Sequence, residues 1–84
     1  GEELTDQATA LLSQGRWAEA EAAARQALTK LEGTGELYEA YASYNLGRAL
    51  VEQGRCDEAL LYLDRSEQIQ GNRKEIRQAR KRCS

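Results

Sequence analysis

Gln14-Gly15-Arg16-Trp17-Ala18-Glu19-Ala20 recurs 39 residues later as Gln53-Gly54-Arg55-Cys56-Asp57-Glu58-Ala59. Five of the seven positions are identical. The same offset pairs Leu11 with Leu50, Ala8 with Gly47, Leu12 with Val51 and Ala27 with Ser66. A repeat of this length is one supersecondary unit that buries its apolar face against the next. Apolar residues return at helical spacing on both sides of each glycine. Leu37, Tyr41, Tyr44, Leu46, Ala49, Leu50 and Val51 precede Gly54, and Ala59, Leu60, Leu63, Ser66 and Ile69 follow it. Leu4, Ala8, Leu11 and Leu12 precede Gly15, and Trp17, Ala20, Ala24, Ala27, Leu28 and Leu31 follow it. No segment shows the strict alternation of a half-buried strand. The expected fold class is all-α, an α-solenoid of two helix-turn-helix hairpins.

The glycines punctuate this pattern. Gly15 and Gly54 suit the position just after a helix, where a left-handed backbone costs glycine little. Asp57 reads as the N-cap or a first-turn acid of the following helix. Glu32-Gly33-Thr34-Gly35 breaks the chain between the copies, and Gly71-Asn72 breaks it again. Beyond that break, Ile76, Ala79 and Cys83 form one thin apolar edge, the spacing of a final helix covering the end of a core. One domain is expected: a first repeat over 2–32, a second over 36–70 and a capping helix over 72–83.

Composition narrows the function. Eighty-four residues make one small domain, 40% hydrophobic and 31% charged. There is no histidine, so the commonest general base and the commonest metal ligand are both missing. No phosphate-cradling loop is present, and neither Cys56 nor Cys83 has a second cysteine at ligand spacing. The expectation is a protein that is not an enzyme and takes no cofactor or metal. No apolar run approaches a membrane span. With Gly1 first and no methionine, the chain reads as a domain excised from a longer protein. Its net charge of −2 hides an asymmetry: residues 1–71 hold six basic and thirteen acidic residues, net −7, and residues 72–84 hold six basic residues and one acid, net +5.

The second copy resembles the tetratricopeptide repeat, whose pattern runs W-x2-L-G-x2-Y, then A-x3-F, then P. Leu46-Gly47 stands at the L-G step, Leu50 at the tyrosine, Ala59 at the alanine and Leu63 at the phenylalanine, with Ser66 at the next small position. Ser43 replaces the large first residue, and Gly71 lies near the expected proline. In the first copy Leu4, Ala8, Leu11, Ala20 and Ala27 fit, whereas Gln7 replaces the leucine and Ala24 the aromatic residue. The resemblance implies that Gly47, Ala20 and Ala59 let helices approach closely. It also implies that the extra residues of the longer repeat lengthen the helix starting near Glu36.

The resemblance further implies a module that binds a protein or peptide in a concave groove lined by the first helix of each repeat. Carried over, that groove would present Thr5, Thr9, Leu12, Leu37, Tyr41, Tyr44, Asn45, Arg48 and Val51, and Tyr44 with Arg48 would be its binding pair. Asn45 matches one asparagine of the chaperone-binding members. Thr5 and Thr9 stand where their first-repeat lysine and asparagine belong, which argues against a chaperone-tail receptor. The alternative function is a structural or oligomerising segment that stacks its alanine-rich face, Ala18 to Ala27, on neighbouring repeats or a second copy.

Trp17 and Cys56 share one repeat position, whose side chain family geometry points toward the next helix in the stack. Cys56 would then lie near Cys83, either as two buried thiols or as a disulfide. A disulfide implies an extracytoplasmic setting; free thiols imply a cytoplasmic one. The cations of the last helix read as a solvated cap pairing with Asp57, Glu58, Asp64 and Glu67. An acidic partner is a weaker reading. Nucleic acid is disfavoured, because the patch is short and carries no aromatic side chains.

Overall fold

The computed structural model describes residues 2–31 and 33–83, so Glu32 of the inter-repeat breaker lies outside the described residues. Five helices follow in order: α1 (Glu2–Ser13), α2 (Trp17–Leu31), α3 (Leu37–Glu52), α4 (Cys56–Gln70) and α5 (Lys74–Lys81). There is no strand among the described residues. Each helix packs on its neighbour in sequence as far as α4, α1 also meets α3, and α5 covers α4 and α3. This is an all-α solenoid of two hairpins and a cap.

The repeated Gln-Gly-Arg has a structural cause. Gly54 has a φ of 76° and its N–H donates to the Val51 carbonyl at 3.0 Å, while the Arg55 N–H reaches back to Leu50 at 2.9 Å. Gly15, with a φ of 72°, donates to Leu12 at 3.1 Å, and Arg16 donates to Leu11 at 3.0 Å. Both are Schellman motifs, which satisfy the last carbonyls of the closing helix. The arginine of each turn then accepts the first bond of the next helix, Ala20 to Arg16 at 2.9 Å and Ala59 to Arg55 at 3.0 Å. Three residues thus close one helix and open another. Asp57 lies in the first turn of α4, with Arg55 as the N-cap.

Packing density explains the small residues. A Cβ on Gly47 would lie 2.8 Å from Leu63 Cδ2 and 3.2 Å from the Ala59 carbonyl oxygen, so α3 approaches α4 too closely for any side chain there. Ala8, Ala20, Ala24, Ala27, Ala59, Leu50 and Leu63 are fully buried. α3 has 16 residues against 12 for α1, in line with a lengthened helix starting near Glu36. Its start is organised by Glu39, which is buried and accepts the N–H groups of Gly33 at 3.1 Å and Gly35 at 2.7 Å. That carboxylate ties two backbone N–H groups of the breaker to the first turn of α3.

Candidate binding groove

α1 and α3 lie side by side, and the start of α5 closes the far end. Between them Thr5, Asp6, Thr9, Tyr38, Tyr41, Tyr44, Asn45 and Arg73 line a depression of about 350 Å³. The Tyr38 and Tyr41 rings meet edge to face, with centroids 5.6 Å apart. Such a pair is a favourable aromatic geometry that holds both rings in place. The Arg73 guanidinium stacks over Tyr44 at 5.8 Å and donates to Ser66 Oγ at 3.2 Å. Its carboxylate contact is Glu75 at 3.3 Å, on the half-exposed rim. Ser66 is anchored in turn by donating to the Ala40 carbonyl at 2.8 Å. The cation is therefore held in place by contacts to α3, α4 and Glu75.

Asn45 has a structural task. Its amide donates to the Thr5 carbonyl at 3.3 Å and to Thr9 Oγ1 at 3.1 Å, tying α3 to α1 across the repeat interface. Thr9 Oγ1 itself donates to the Thr5 carbonyl at 3.0 Å.

Of the residues expected in the groove, Thr5, Thr9, Tyr41, Tyr44 and Asn45 line it. Leu37 is 47% exposed at the start of α3 and stands outside the depression. Leu12 is half-buried and Val51 is buried in the core, neither lining the groove. Arg48 is turned away from it. Its guanidinium lies 5.9 Å from the Trp17 ring and pairs with Glu52 at 3.3 Å. The groove's arginine is Arg73, and its third aromatic residue is Tyr38. Helical spacing could have flagged Tyr38, three residues before Tyr41. Arg73 had no such signal, since it enters only when the chain folds back at Gly71.

The equivalent positions Trp17 and Cys56 both reach the next element of the stack. Trp17 meets Arg48 of α3, and Cys56 is disulfide-bonded to Cys83, just after α5, with Cα atoms 5.6 Å apart. The cap's cations divide. Arg80 pairs with Asp64 at 2.5 Å and Glu67 at 2.6 Å, which raises its pKa, Glu67 contributing most. Arg82 pairs with Glu52 at 2.6 Å. Glu58, expected beneath the cap, instead joins a ring on the other side. Arg25 binds Glu21 at 2.9 Å and Glu58 at 2.6 Å, and Arg55 binds the same two acids at 3.0 and 2.7 Å. Burial opposes the charge on Glu21. The hydrogen bonds from Gln53 and Arg25 and the charges of Arg55 and Arg25 outweigh it and hold the carboxyl below its ordinary range. Glu58 is held low chiefly by Arg25, then by Arg55.

Among the described residues, no helix is long and apolar enough to cross a membrane. Comparison with curated proteins and with solved structures returns no match. The family model for the tetratricopeptide repeat matches residues 5–73, well over half of the chain, so with its two glycine-closed hairpins and close Gly47 contact the chain belongs to the tetratricopeptide repeat family.

Proposed function

We infer that this module binds a segment of a partner protein in the groove between α1 and α3. The carrying observation is the clustering of Tyr38, Tyr41, Tyr44 and Arg73 around one depression. Tyrosine and arginine are the side chains that most often dominate binding energy, and here both types are already held in place by neighbours. The rings offer apolar area at low entropic cost. Arg73 supplies a directional cation on one wall, and Asp6 an anion elsewhere in the same depression.

Selection from a displayed random peptide library, followed by anisotropy measurements on the enriched peptides, tests this. Tyr41→Ala and Arg73→Ala should each weaken binding by about tenfold or more, the scale of a hot-spot residue. Arg48→Ala should leave it within about twofold, because the residue does not line the groove. Peptides that bind both groove variants as tightly as the parent protein would overturn the reading. Assembly through the alanine-rich face of α2 has less support. Ala20, Ala23, Ala24 and Ala27 are consumed in the core, which leaves Ala18 and Ala22 as the exposed alanines of that helix.

A further inference from the structure

We propose that the outward face of α5, carrying Lys74, Arg77 and Lys81, docks a short acidic segment of a partner protein. This surface is separate from the groove between α1 and α3. Ile76 and Ala79 face the core and are buried, so Lys74, Arg77 and Lys81, at i, i+3 and i+7, fall on the opposite side. With Gln78 and Arg80 they line one shallow depression.

Lys81 stands in the last turn of α5 with Arg80, but the fold does not account for Lys74 and Arg77. Arg80 and Arg82 are bound to carboxylates of α4 and α3, and the last turn of a helix is where positive charge is favoured. Lys74 and Arg77 have the opposite circumstances. Lys74 is the first residue of α5, and Arg77 stands only three residues on, at the positive end of the helix dipole, where an acid would stabilise and a cation is disfavoured. Lys74 has no ion-pair partner among the described residues, and Arg77 bonds only to Asn72 at 3.3 Å. Residues that break a local stability rule with no opposite charge to answer them mark surfaces kept for another purpose.

The geometry and the remaining charge select the occupant. Along the helix axis the three cations are separated by roughly 4.5 and 6 Å, within reach of carboxylates borne roughly 7 Å apart at alternate residues of an extended chain. The stripe is about 10 Å long, enough for a few acidic residues. Residues 1–71 carry net −7, so a longer polyanion would run from the ridge onto repelling surface. α5 holds no aromatic side chain on which bases could stack, and no apolar side chain points outward to enter a bilayer. A short acidic protein segment meets all of these conditions.

The test uses a fluorescein-labelled peptide of repeated Glu-Glu-Ser units, with a Gln-Gln-Ser peptide as control. The acidic peptide should bind the intact, oxidised protein, and its affinity should fall several-fold between about 0.05 and 0.2 M salt, as expected for exposed charges. Lys74→Glu with Arg77→Glu should weaken it by about tenfold, while Arg77→Lys and the groove variant Tyr41→Ala should leave it within about twofold. Amide shift changes on titration should map to α5. Circular dichroism of the double variant should match the parent, since neither side chain bonds into the core. The proposal is overturned by no binding at about 0.05 M salt, or by equal binding to the double variant. It is also overturned by tighter binding to an oligothymidylate or to phosphatidylserine vesicles, or by self-association that the same substitutions abolish.

Discussion

The two Gln-Gly-Arg turns have the same backbone and are followed by different side chains. After the first stands Trp17, which reaches across to Arg48; after the second stands Cys56, which is bonded to Cys83. The layers they fasten differ as well. At the first junction α2 brings five buried residues, Ala20, Ala23, Ala24, Ala27 and Leu28, and the ring of Glu21, Arg25, Arg55 and Glu58 ties it to the second turn. At the second junction α5 buries Ile76 and Ala79 only. One turn thus serves both places, and the residue after it supplies the lock its layer lacks. Where apolar area is ample the lock is non-covalent. Where area is thin it is a covalent bond.

The largest expected effect tests that contrast directly. Burial of one isoleucine contributes about 1.5–3 kcal/mol. Closing a loop with the 27-residue separation of this disulfide contributes about 3 kcal/mol in the chain-entropy account. Cys56→Ser with Cys83→Ser should therefore lower stability by about 3 kcal/mol in urea melts. Hydrogen exchange should show the amides of α5 losing protection before those of α3 and α4. A double variant within about 0.5 kcal/mol of the parent would mean that burial alone holds the cap and that the contrast is false.

Gly47 tests the comparison at the next position. Its counterpart in the first repeat is Ala8, so α1 tolerates a methyl group where α3 does not. Gly47→Ala forces a Cβ within 2.8 Å of Leu63 and should cost about 1–3 kcal/mol, although alanine is the better helix former. Ala8→Gly should cost about 1–2 kcal/mol, from helix propensity and the loss of one buried methyl, with no steric clash. Equal and small effects at both sites would show that the hairpins pack alike.

These contrasts mark what was legible in the sequence. The repeat, the two glycine turns and the five helices follow from spacing and residue type, which are local properties, whereas the tight Gly47 contact followed from the resemblance to the family. The neighbourhood of Cys56 and Cys83 followed from family geometry, because a shared repeat position carries a shared direction. The groove was legible only in part. Tyr41 and Tyr44 sit at helical spacing on α3, but the direction of Arg48 depends on Trp17 and Glu52, one of them on another helix. Arg73 reaches Tyr44 only through the fold-back at Gly71, whose φ of 91° no periodicity encodes. Likewise Glu58 was expected under the cap but pairs with Arg25 and Arg55 instead.

The ion-pair ring gives the next effect by size, with a definite sign. The carboxyls of Glu21 and Glu58 are held below their ordinary value of 4.5 in the folded chain. The stability they contribute is fully present above that value and is lost as pH falls through it and below, since the unfolded chain then binds more protons. The thermal midpoint should therefore drop between neutral pH and about pH 3, and Glu21→Gln should flatten the drop. At neutral pH that variant should cost about 1 kcal/mol, the upper end for partly exposed pairs. An unchanged pH profile in Glu21→Gln would remove the ring from the account of the first junction.

The smallest expected effect concerns Trp17 and Arg48 themselves. A guanidinium 5.9 Å from an indole centroid at a half-exposed site contributes about 0.5–1 kcal/mol. Trp17→Leu retains apolar bulk and removes most of the ring's attraction for a cation. Arg48→Ala removes the cation together with its pair to Glu52. A double-mutant cycle on the two substitutions isolates their coupling, which should fall within that range and persist in moderate salt, because the pair is partly shielded. Glu52 complicates Arg48→Ala alone, since it also holds Arg82 of the cap at 2.6 Å. The single variant should therefore loosen α5 slightly as well as the first junction, whereas Trp17→Leu should leave α5 untouched. A coupling near zero would leave Trp17 as a packing residue only. The two equivalent positions would then differ in kind, one closing its layer by bulk alone and the other by a bond.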